Sequence, residues 1–590
     1  MHKPQTILEL LAAILALIIS CSALAQSPAD LILHNAQVYT METDNPWASA
    51  VVIRGNLIVA VLNNNAPIKP WRGPNTKVVD LKGRFVLPGF IDGHVHFDGA
   101  GAQINGADLL TVSDRQGLRA EIQRVVDILD SGEWITGGSW GAYEQWALGA
   151  SRSHKKKNEV WRPNRRMIDD ITQDNPCLLN NYNRQMFLAN SKALAAANLS
   201  AARLPGMESD KDGRPTGLLY RGSPAIKKIR EVIKPKSHKR LLDENRAGLK
   251  ALREAGIVEI HDVIYPDQTA RYIELQEKGE LTTRVWLRPD LARGAEMKKK
   301  KLYMGLHPKT KQPHSYLRYG AFKGYIDGIM GNHSALFFKP YNDRPDVYGR
   351  YRRHTSDDPN HETGNMEKVY NLLKLAHDAG FVANVHAIGT KGVALMLDTY
   401  ERLMKDLGGD LEGYRIIHAQ VIRSQDFPRF KKLNVIAEVN PYHLADDMRW
   451  MEERIGHQRS KGAYAFKSLL DNGAILSFGS DWPGTSAAKY HVHPKYLIHA
   501  AVNRTTINGE PKGGWFPEQK ISVHEALKAY TINNAYAAFE NNIRGSIKVG
   551  KLADITVCDR NLLKINPKDI LKMNVDMTIV DGKVVYQREM

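Results

Sequence analysis

Between Val86 and Phe478 the chain repeats one pattern, a short apolar run of strand length followed by a longer stretch of helical periodicity. The runs are Val86 to Ile91, Gly256 to Ile260, Thr283 to Leu287, Gly320 to Ile326, Val382 to Val385, Tyr414 to Ile417, Asn434 to Val439 and Ala474 to Phe478. Alternation of this kind builds a parallel sheet with crossover helices. Eight runs predict an α/β fold closed into a (β/α)8 TIM-like barrel, with polar residues at the carboxyl ends of the strands converging on one mouth. One spacing breaks the rhythm. From His94 to Gly256 is too long for a single crossover helix, so an inserted subdomain is expected over roughly residues 105–250, covering some of the mouth.

The two ends of the chain read differently. Leu31-Ile32-Leu33, Val38-Tyr39-Thr40, Val51-Val52-Ile53 and Leu57 to Val61 are short β patterns, and similar material returns only at Asp554 to Cys558, Met577 to Val580 and Lys583 to Tyr586, the last two joined by an Asp581-Gly582 hairpin signal. Together they predict a small β-sandwich domain built from both chain ends. The expected layout is a signal segment over 1–25, the amino-terminal portion of the sandwich over 26–88, the barrel over 89–535 and the carboxyl-terminal portion of the sandwich over 536–590.

The amino terminus carries the elements of an export signal: Lys3, an apolar run from Ile7 to Ile19 interrupted only by Glu9, and Ala23-Leu24-Ala25. Cleavage after Ala25 gives a periplasmic or secreted protein, whereas Ile18-Ile19-Ser20-Cys21 resembles a lipobox that would leave a lipid anchor on Cys21. No other stretch has the length of a membrane span, so no transmembrane segment is expected. Cys177 and Cys558 leave room for one disulfide and no framework of them. The net charge of +17 admits acidic partners. However, Lys155 to Lys157 and Lys298 to Lys301 lack interleaved aromatics, and no nucleic-acid motif accompanies them, so they read as solvated loops and no nucleic-acid partner is expected.

Chemistry concentrates at the predicted strand ends. In Pro88-Gly89-Phe90-Ile91-Asp92-Gly93-His94-Val95-His96, residues two apart on a strand project to one side, so His94 and His96 can share a cation. Alone, such a pair arises by chance in a chain with 21 histidines. Further along come Lys323 in the fourth run, His386 after Val385, His418 after Ile417 and Asp481 in Phe478-Gly479-Ser480-Asp481. Imidazole nitrogens and a carboxylate at one mouth suit zinc and related divalent ions.

With these segments in order, the chain resembles the amidohydrolase superfamily, in particular its YtcJ-like branch. The specific stretches are Leu87 to His96, the Lys323 strand running on to Asp327-Gly328, Asn440-Pro441-Tyr442-His443, Phe478 to Pro483, and Gly545 to Asp554. The resemblance implies one or two divalent metal ions, zinc above others. His94, His96 and Asp481 would bind one ion, and His386 and His418 a second, with Lys323 bridging as a carboxylated (carbamate) side chain. An uncarboxylated Lys323 paired with an acid would leave a one-metal site. Metal-activated water would attack a carbonyl, and Asp481 would act catalytically by moving the proton to the leaving group. His443 matches a histidine near the substrate, weighed against a loop hydrogen bond. Gln185 stands where many relatives place histidine, and His261-Asp262 lies at a strand end, either at the substrate or bracing the ligands. Trp134, Trp140 and Trp146 lie in the insertion, as pocket lining or as packing.

The resulting expectation is an exported metal-dependent amidohydrolase acting on the C-N bond of a small-molecule amide, N-acyl or cyclic amide substrate, with a homodimer left open. An esterase or lactonase on the same site, a non-catalytic sensor or binding homologue, and a salt-sensitive binder of anionic polymers are the alternatives.

Overall fold

The computed structural model describes residues 27–63, 66–140, 161–181, 184–352, 362–485, 488–489 and 491–589. The signal segment with Cys21, Trp146 and Lys155 to Lys157 lie outside the described residues.

Nine parallel strands form the centre: β1 (Phe90–Val95), β2 (Ile257–Val263), β3 (Arg284–Arg288), β4 (Leu317–Tyr319), β5 (Phe322–Tyr325), β6 (Ala383–Ala387), β7 (Arg415–His418), β8 (Ile436–Val439) and β9 (Leu476–Phe478). They pair as two arcs, in the order β4-β3-β2-β1 and β5-β6-β7-β8-β9. The ladder is therefore not the continuous eight-stranded barrel expected from the pattern. Single bridges stand between the arcs, Asp290 with Lys323 and Val95 with Trp482, supported by Lys323 N–H to Pro289 O (2.8 Å) and Asp481 N–H to His94 O (2.8 Å). One of the expected strands divides in two, and one strand stands where none was expected. The run Val86 to Ile91 splits at Gly89 into Phe85–Pro88, which belongs to an outer sheet, and β1. The fourth run, Gly320 to Ile326, holds only β5; β4 precedes it and was not among the expected strands, and between the two the backbone at Gly320 passes so close to the Trp286 indole that a Cβ would lie 2.2 Å from the ring.

The helices bury one stripe against these strands. In Thr390–Leu407 the buried residues Val393, Ala394, Met396, Leu397, Tyr400 and Leu403 recur at the three- and four-residue spacing of one helical face. Each large apolar side chain so buried contributes about 1.5–3 kcal/mol. The Tyr400 hydroxyl reaches Arg415 O at 3.0 Å and Ala383 O at 3.2 Å, anchoring the starts of β7 and β6.

Between β1 and β2 lies a five-stranded sheet of Ile135–Trp140, Cys177–Asn181, Met186–Ala189, Met207–Ser209 and Pro215–Tyr220, with its own helices. Trp134 and Trp140 are buried in its apolar clusters, so both serve packing. Cys177 and Cys558 are buried and free, and the disulfide left open by the sequence is not formed. A six-stranded sheet joins Lys583–Gln587, Val575–Val580, Ile555–Cys558, Phe85–Pro88, Gln37–Tyr39 and Trp47–Ala48, so both chain ends share it. It faces a four-stranded sheet of amino-terminal strands across one core containing Leu33, Val51, Ile53, Val86, Ile555 and Ile579. Arg284 of β3 binds Asp554 at 2.8 Å and Asp581 at 2.7 Å, tying this sandwich to the parallel strands. Among the described residues no helix is long and apolar enough to cross a membrane.

Candidate metal centre

All parallel strands end on one side, and seven of the polar residues of the sequence reading meet there. His94 is the second-last residue of β1, and His96 directly follows that strand. Lys323 lies in β5, His386 in β6, and His418 ends β7. Asp481 follows β9, and His443 lies in the helix Pro441–Asp447 after β8. His94 Nε2 and His96 Nε2 each stand 3.3 Å from Asp481 Oδ1, and His443 Nε2 stands 3.5 Å from Asp481 Oδ2. Lys323 Nζ is 3.5 Å from His94 Nε2. The His386 and His418 rings are 4.5 Å apart, and His418 is 5.5 Å from His94. Two groups have all their donor atoms within 4.8 Å of one another: His94, His96 and Asp481, and His418, His443 and Asp481. His386 adjoins the second group without belonging to it, and its Nε2 stands 3.0 Å from Gly328 O and 3.4 Å from Asp327 Oδ1.

The backbone is strained where this cluster is held. His418, Ala419 and Asp481 adopt φ of 71°, 41° and 55°, the left-handed region that non-glycine residues rarely enter. Each such residue costs about 1–3 kcal/mol and persists only when its surroundings over-determine it. They do so here. Asp92, fully buried, accepts hydrogen bonds from His94 N–H (3.1 Å), Ser480 N–H (2.9 Å) and the Tyr530 hydroxyl (2.9 Å), so it clamps the end of β1 to the segment carrying Asp481. A Cβ at Gly479 would fall 2.5 Å from His94 Cβ; only glycine allows the two strand ends to approach so closely.

The protonation pattern decides what the cluster can hold. Burial pushes His94, His386 and His418 well below the ordinary histidine range and His443 to about 4, so these rings are neutral near pH 7. His94 Nδ1 lies 2.7 Å from Glu438 Oε1, a separation that requires the proton on Nδ1. His94 Nε2 therefore points a lone pair at the Asp481 carboxylate. In the same way His418 Nδ1 donates to Asn440 Oδ1 at 2.7 Å, because the Asn440 amide nitrogen donates to Gly479 O at 2.9 Å. Lone pairs facing a carboxylate repel unless a cation stands among them, so the donor set fits a divalent ion. Lys323 is lowered to about 7, chiefly by burial, so much of its amine is neutral at pH 7.

His261 is corrected. It is fully buried, with Nε2 on Glu259 at 3.1 Å and Nδ1 on Arg415 at 3.1 Å, so both nitrogens are used inside the strands and it cannot contact a substrate. Its neighbour Asp262 accepts from Phe97 N–H at 2.9 Å, next to His96. Gln185 sits exposed on the inserted sheet, just before Met186–Ala189. Sequence reasoning missed Asp92, Asn440 and Glu438 as functional supports. For Glu438 the signal was a charge inside an otherwise apolar strand.

Residues 77–586 match the Amidohydrolase family, and the chain belongs to that family of metal-dependent hydrolases. Within it, the YtcJ-like resemblance read from the sequence holds: the chain is 25% identical to the putative amidohydrolase YtcJ of Bacillus subtilis over 94% of its own length and 99% of that protein. It is 30% identical to the protein LONG AFTER FAR-RED 3 of Arabidopsis thaliana, covering 95% of this chain and 92% of that one. It is 25% identical to the N-substituted formamide deformylase of Arthrobacter pascens, covering 95% and 98%. An uncharacterized metal-dependent hydrolase from Pyrococcus horikoshii shares the fold, with a TM-score of 0.67 and 23% identity over 91% of this chain and 99% of that one.

Proposed function

We propose that the protein hydrolyses the C-N bond of a small amide, N-acyl or cyclic amide compound, using one or two divalent ions, zinc above others. The observation that carries this reading is the His94 Nε2 lone pair held 3.3 Å from Asp481 Oδ1, with His96 Nε2 at the same distance. The formamide deformylase relative supports an N-acyl substrate over other carbonyl compounds. On this reading the two strand arcs act as one closed barrel whose mouth is the site.

His94, His96 and Asp481 would hold one ion. His418 and His386 would hold the second, the latter through the Nδ1 left available by its contact with Gly328 O. When bound, such ions polarise a carbonyl and lower the pKa of water toward ~7. Lys323 as a free amine adds carbon dioxide with loss of one proton, and the resulting carbamate brings an anion to a position where an ammonium would repel both ions. Asp481 takes a proton from the attacking water and delivers it to the departing nitrogen. His443, beside Asp481, orients the substrate.

The test uses the full chain on a panel of N-formyl and N-acyl amines, cyclic amides, esters and lactones, with metal content measured in parallel. The reading expects C-N turnover that is lost on chelation and restored by zinc. Equal turnover without metal, or turnover confined to esters or lactones, would sink it, and metal binding with no turnover would indicate a sensor. Export belongs to the proposal: amino-terminal sequencing of the native protein should begin at Gln26, whereas a blocked Cys21 would show the lipid-anchored form.

A further inference from the structure

One step down the strands from the histidines lies a second buried polar layer that the reaction does not use. Glu438 of β8 accepts four contacts: His94 Nδ1 at 2.7 Å and Arg288 Nη1 at 3.0 Å on Oε1, and Arg288 Nη2 at 2.5 Å and Arg415 Nη1 at 3.0 Å on Oε2. All four side chains are 0% exposed. Placing two guanidiniums on one carboxylate exceeds what charge balance needs. A carboxylate buried only to pair with arginine is complete with one, and a single bidentate contact already satisfies both oxygens. The third partner is a histidine whose other nitrogen faces Asp481. Arg288 Nη1 also approaches His94 Nδ1, at 3.4 Å. The shorter distance to Glu438 decides the proton position, because two acceptors do not approach to 2.7 Å without a hydrogen between them.

We propose that Glu438 is the positioning residue of His94, fixing its Nδ1–H tautomer and ring plane so that the Nε2 lone pair meets a cation between His94, His96 and Asp481, while Arg288 and Arg415 hold the carboxylate in place. Carboxylates that accept from the far nitrogen of a ligating histidine typically tune metal affinity by 10–100-fold. This inference rests on the metal reading above. It goes beyond it by naming what sets the donor atom.

The proposal makes an asymmetric prediction for Glu438→Gln. The Oε2 position, facing both guanidiniums, demands the amide oxygen. The amide NH2 then turns toward His94 Nδ1 and selects the Nε2–H tautomer, which cannot ligate. Glu438→Asp keeps the charge but withdraws the oxygens by one methylene, so its effect is smaller.

The experiment titrates zinc into metal-free full-length protein against a chromophoric chelator at 25 °C. The unfolding midpoint is recorded alongside, and the cobalt-substituted absorption spectrum is taken as a signature of the donor set. Wild type, E438Q, E438D, H94N and H94N/E438Q are compared. The expected result is a 10–100-fold weaker zinc constant and an altered cobalt spectrum in E438Q, a smaller loss in E438D, and no additional loss when E438Q is placed on H94N. Zinc constants equal to wild type in both Glu438 variants would overturn it, as would an equal loss in the H94N background, which marks a merely structural role. Where E438Q does not fold, E438D against wild type decides by the same criteria. A wild-type chain that binds no divalent ion would overturn the metal reading itself, a separate outcome from the failure of the variants.

Discussion

The two polar layers at the centre of this protein are chemically opposite, and the lower is the more deeply buried: Glu438, Arg288 and Arg415 are 0% exposed, whereas Asp481 and His96 are 17% and 29% exposed. In the lower layer every carboxylate has its cations: Glu438 binds Arg288 and Arg415, Glu259 binds Arg318 and Arg544, and Arg318 also reaches Glu540. In the upper layer His94, His96, His418 and His443 gather around one carboxylate, Asp481, and burial keeps His94, His418 and His443 neutral. In the lower layer the carboxylates are matched by arginines, although Nε of Arg288 and of Arg415 has no hydrogen-bond partner among the described residues, whereas the upper layer sets Asp481 among histidines with Lys323, an amine lowered to about 7, standing 3.5 Å from His94 Nε2. Burial alone therefore does not mark a functional site. The difference lies in whether each carboxylate is matched by fixed cations.

The comparison can be broken in several ways. The largest effect is expected for Asp481→Asn, with turnover falling by about 10²–10⁴-fold. On the proposed metal reading, the unfolding midpoint of the metal-free protein should be little changed, since the carboxylate lost has no fixed cation partner in the layer below among the described residues. If the variant retains activity while losing stability, the assignment of the two layers is reversed.

Glu259→Gln should behave in the opposite way. Removing one partner from a buried ion network costs about 3–5 kcal/mol, because Arg318 and Arg544 are left under-compensated. Denaturant titration should show this loss while the zinc stoichiometry of the folded protein is unchanged. A variant of normal stability with impaired metal binding would contradict the contrast.

A third test uses pH. Burial raises Asp262 to about 6, against an ordinary carboxyl near 3.8. A group whose folded value is raised binds its proton more readily in the folded state, so its contribution is fully present below about pH 4 and is lost as pH rises through about 6. Over that window the loss is on the order of 2–3 kcal/mol. Asp262→Asn should flatten the stability-against-pH curve of the metal-free protein relative to wild type between these limits. An unchanged slope would remove Asp262 as its source.

The smallest effect sharpens the frame around both layers. Tyr400→Phe removes one hydroxyl that reaches Ala383 O and Arg415 O, and should cost about 0.5–1.5 kcal/mol with unaltered zinc affinity. A change in zinc affinity would show that the helix and the ligands are coupled.

Much of the candidate site was legible because side chains able to ligate a metal close several apolar runs. His94, His96, His386, His418 and Asp481 each follow or close an apolar run, so position along a strand indicated position in space. His261 also lay near a strand end and misled, since a strand has two faces and only tertiary packing tells which residue opens to the mouth. Its nitrogens went to Glu259 and Arg415, the latter far away in sequence. The strand Leu317–Tyr319 before the fourth run was equally hidden, and the backbone leaving it at Gly320 packs on the Trp286 ring of a neighbouring strand.

The sequence by itself determined the alternation of parallel strands and helices, the strands contributed by both chain ends and the residue types gathered at the mouth, because apolar periodicity and side-chain chemistry are local properties. Tertiary structure alone decided which nitrogen of His94 carries the proton, that His418 and Asp481 sit on strained backbone, and that four arginines are buried beneath them. Those outcomes depend on contacts between residues hundreds of positions apart, as between His94 and Glu438, and on the loss of solvent around them, which no local pattern records.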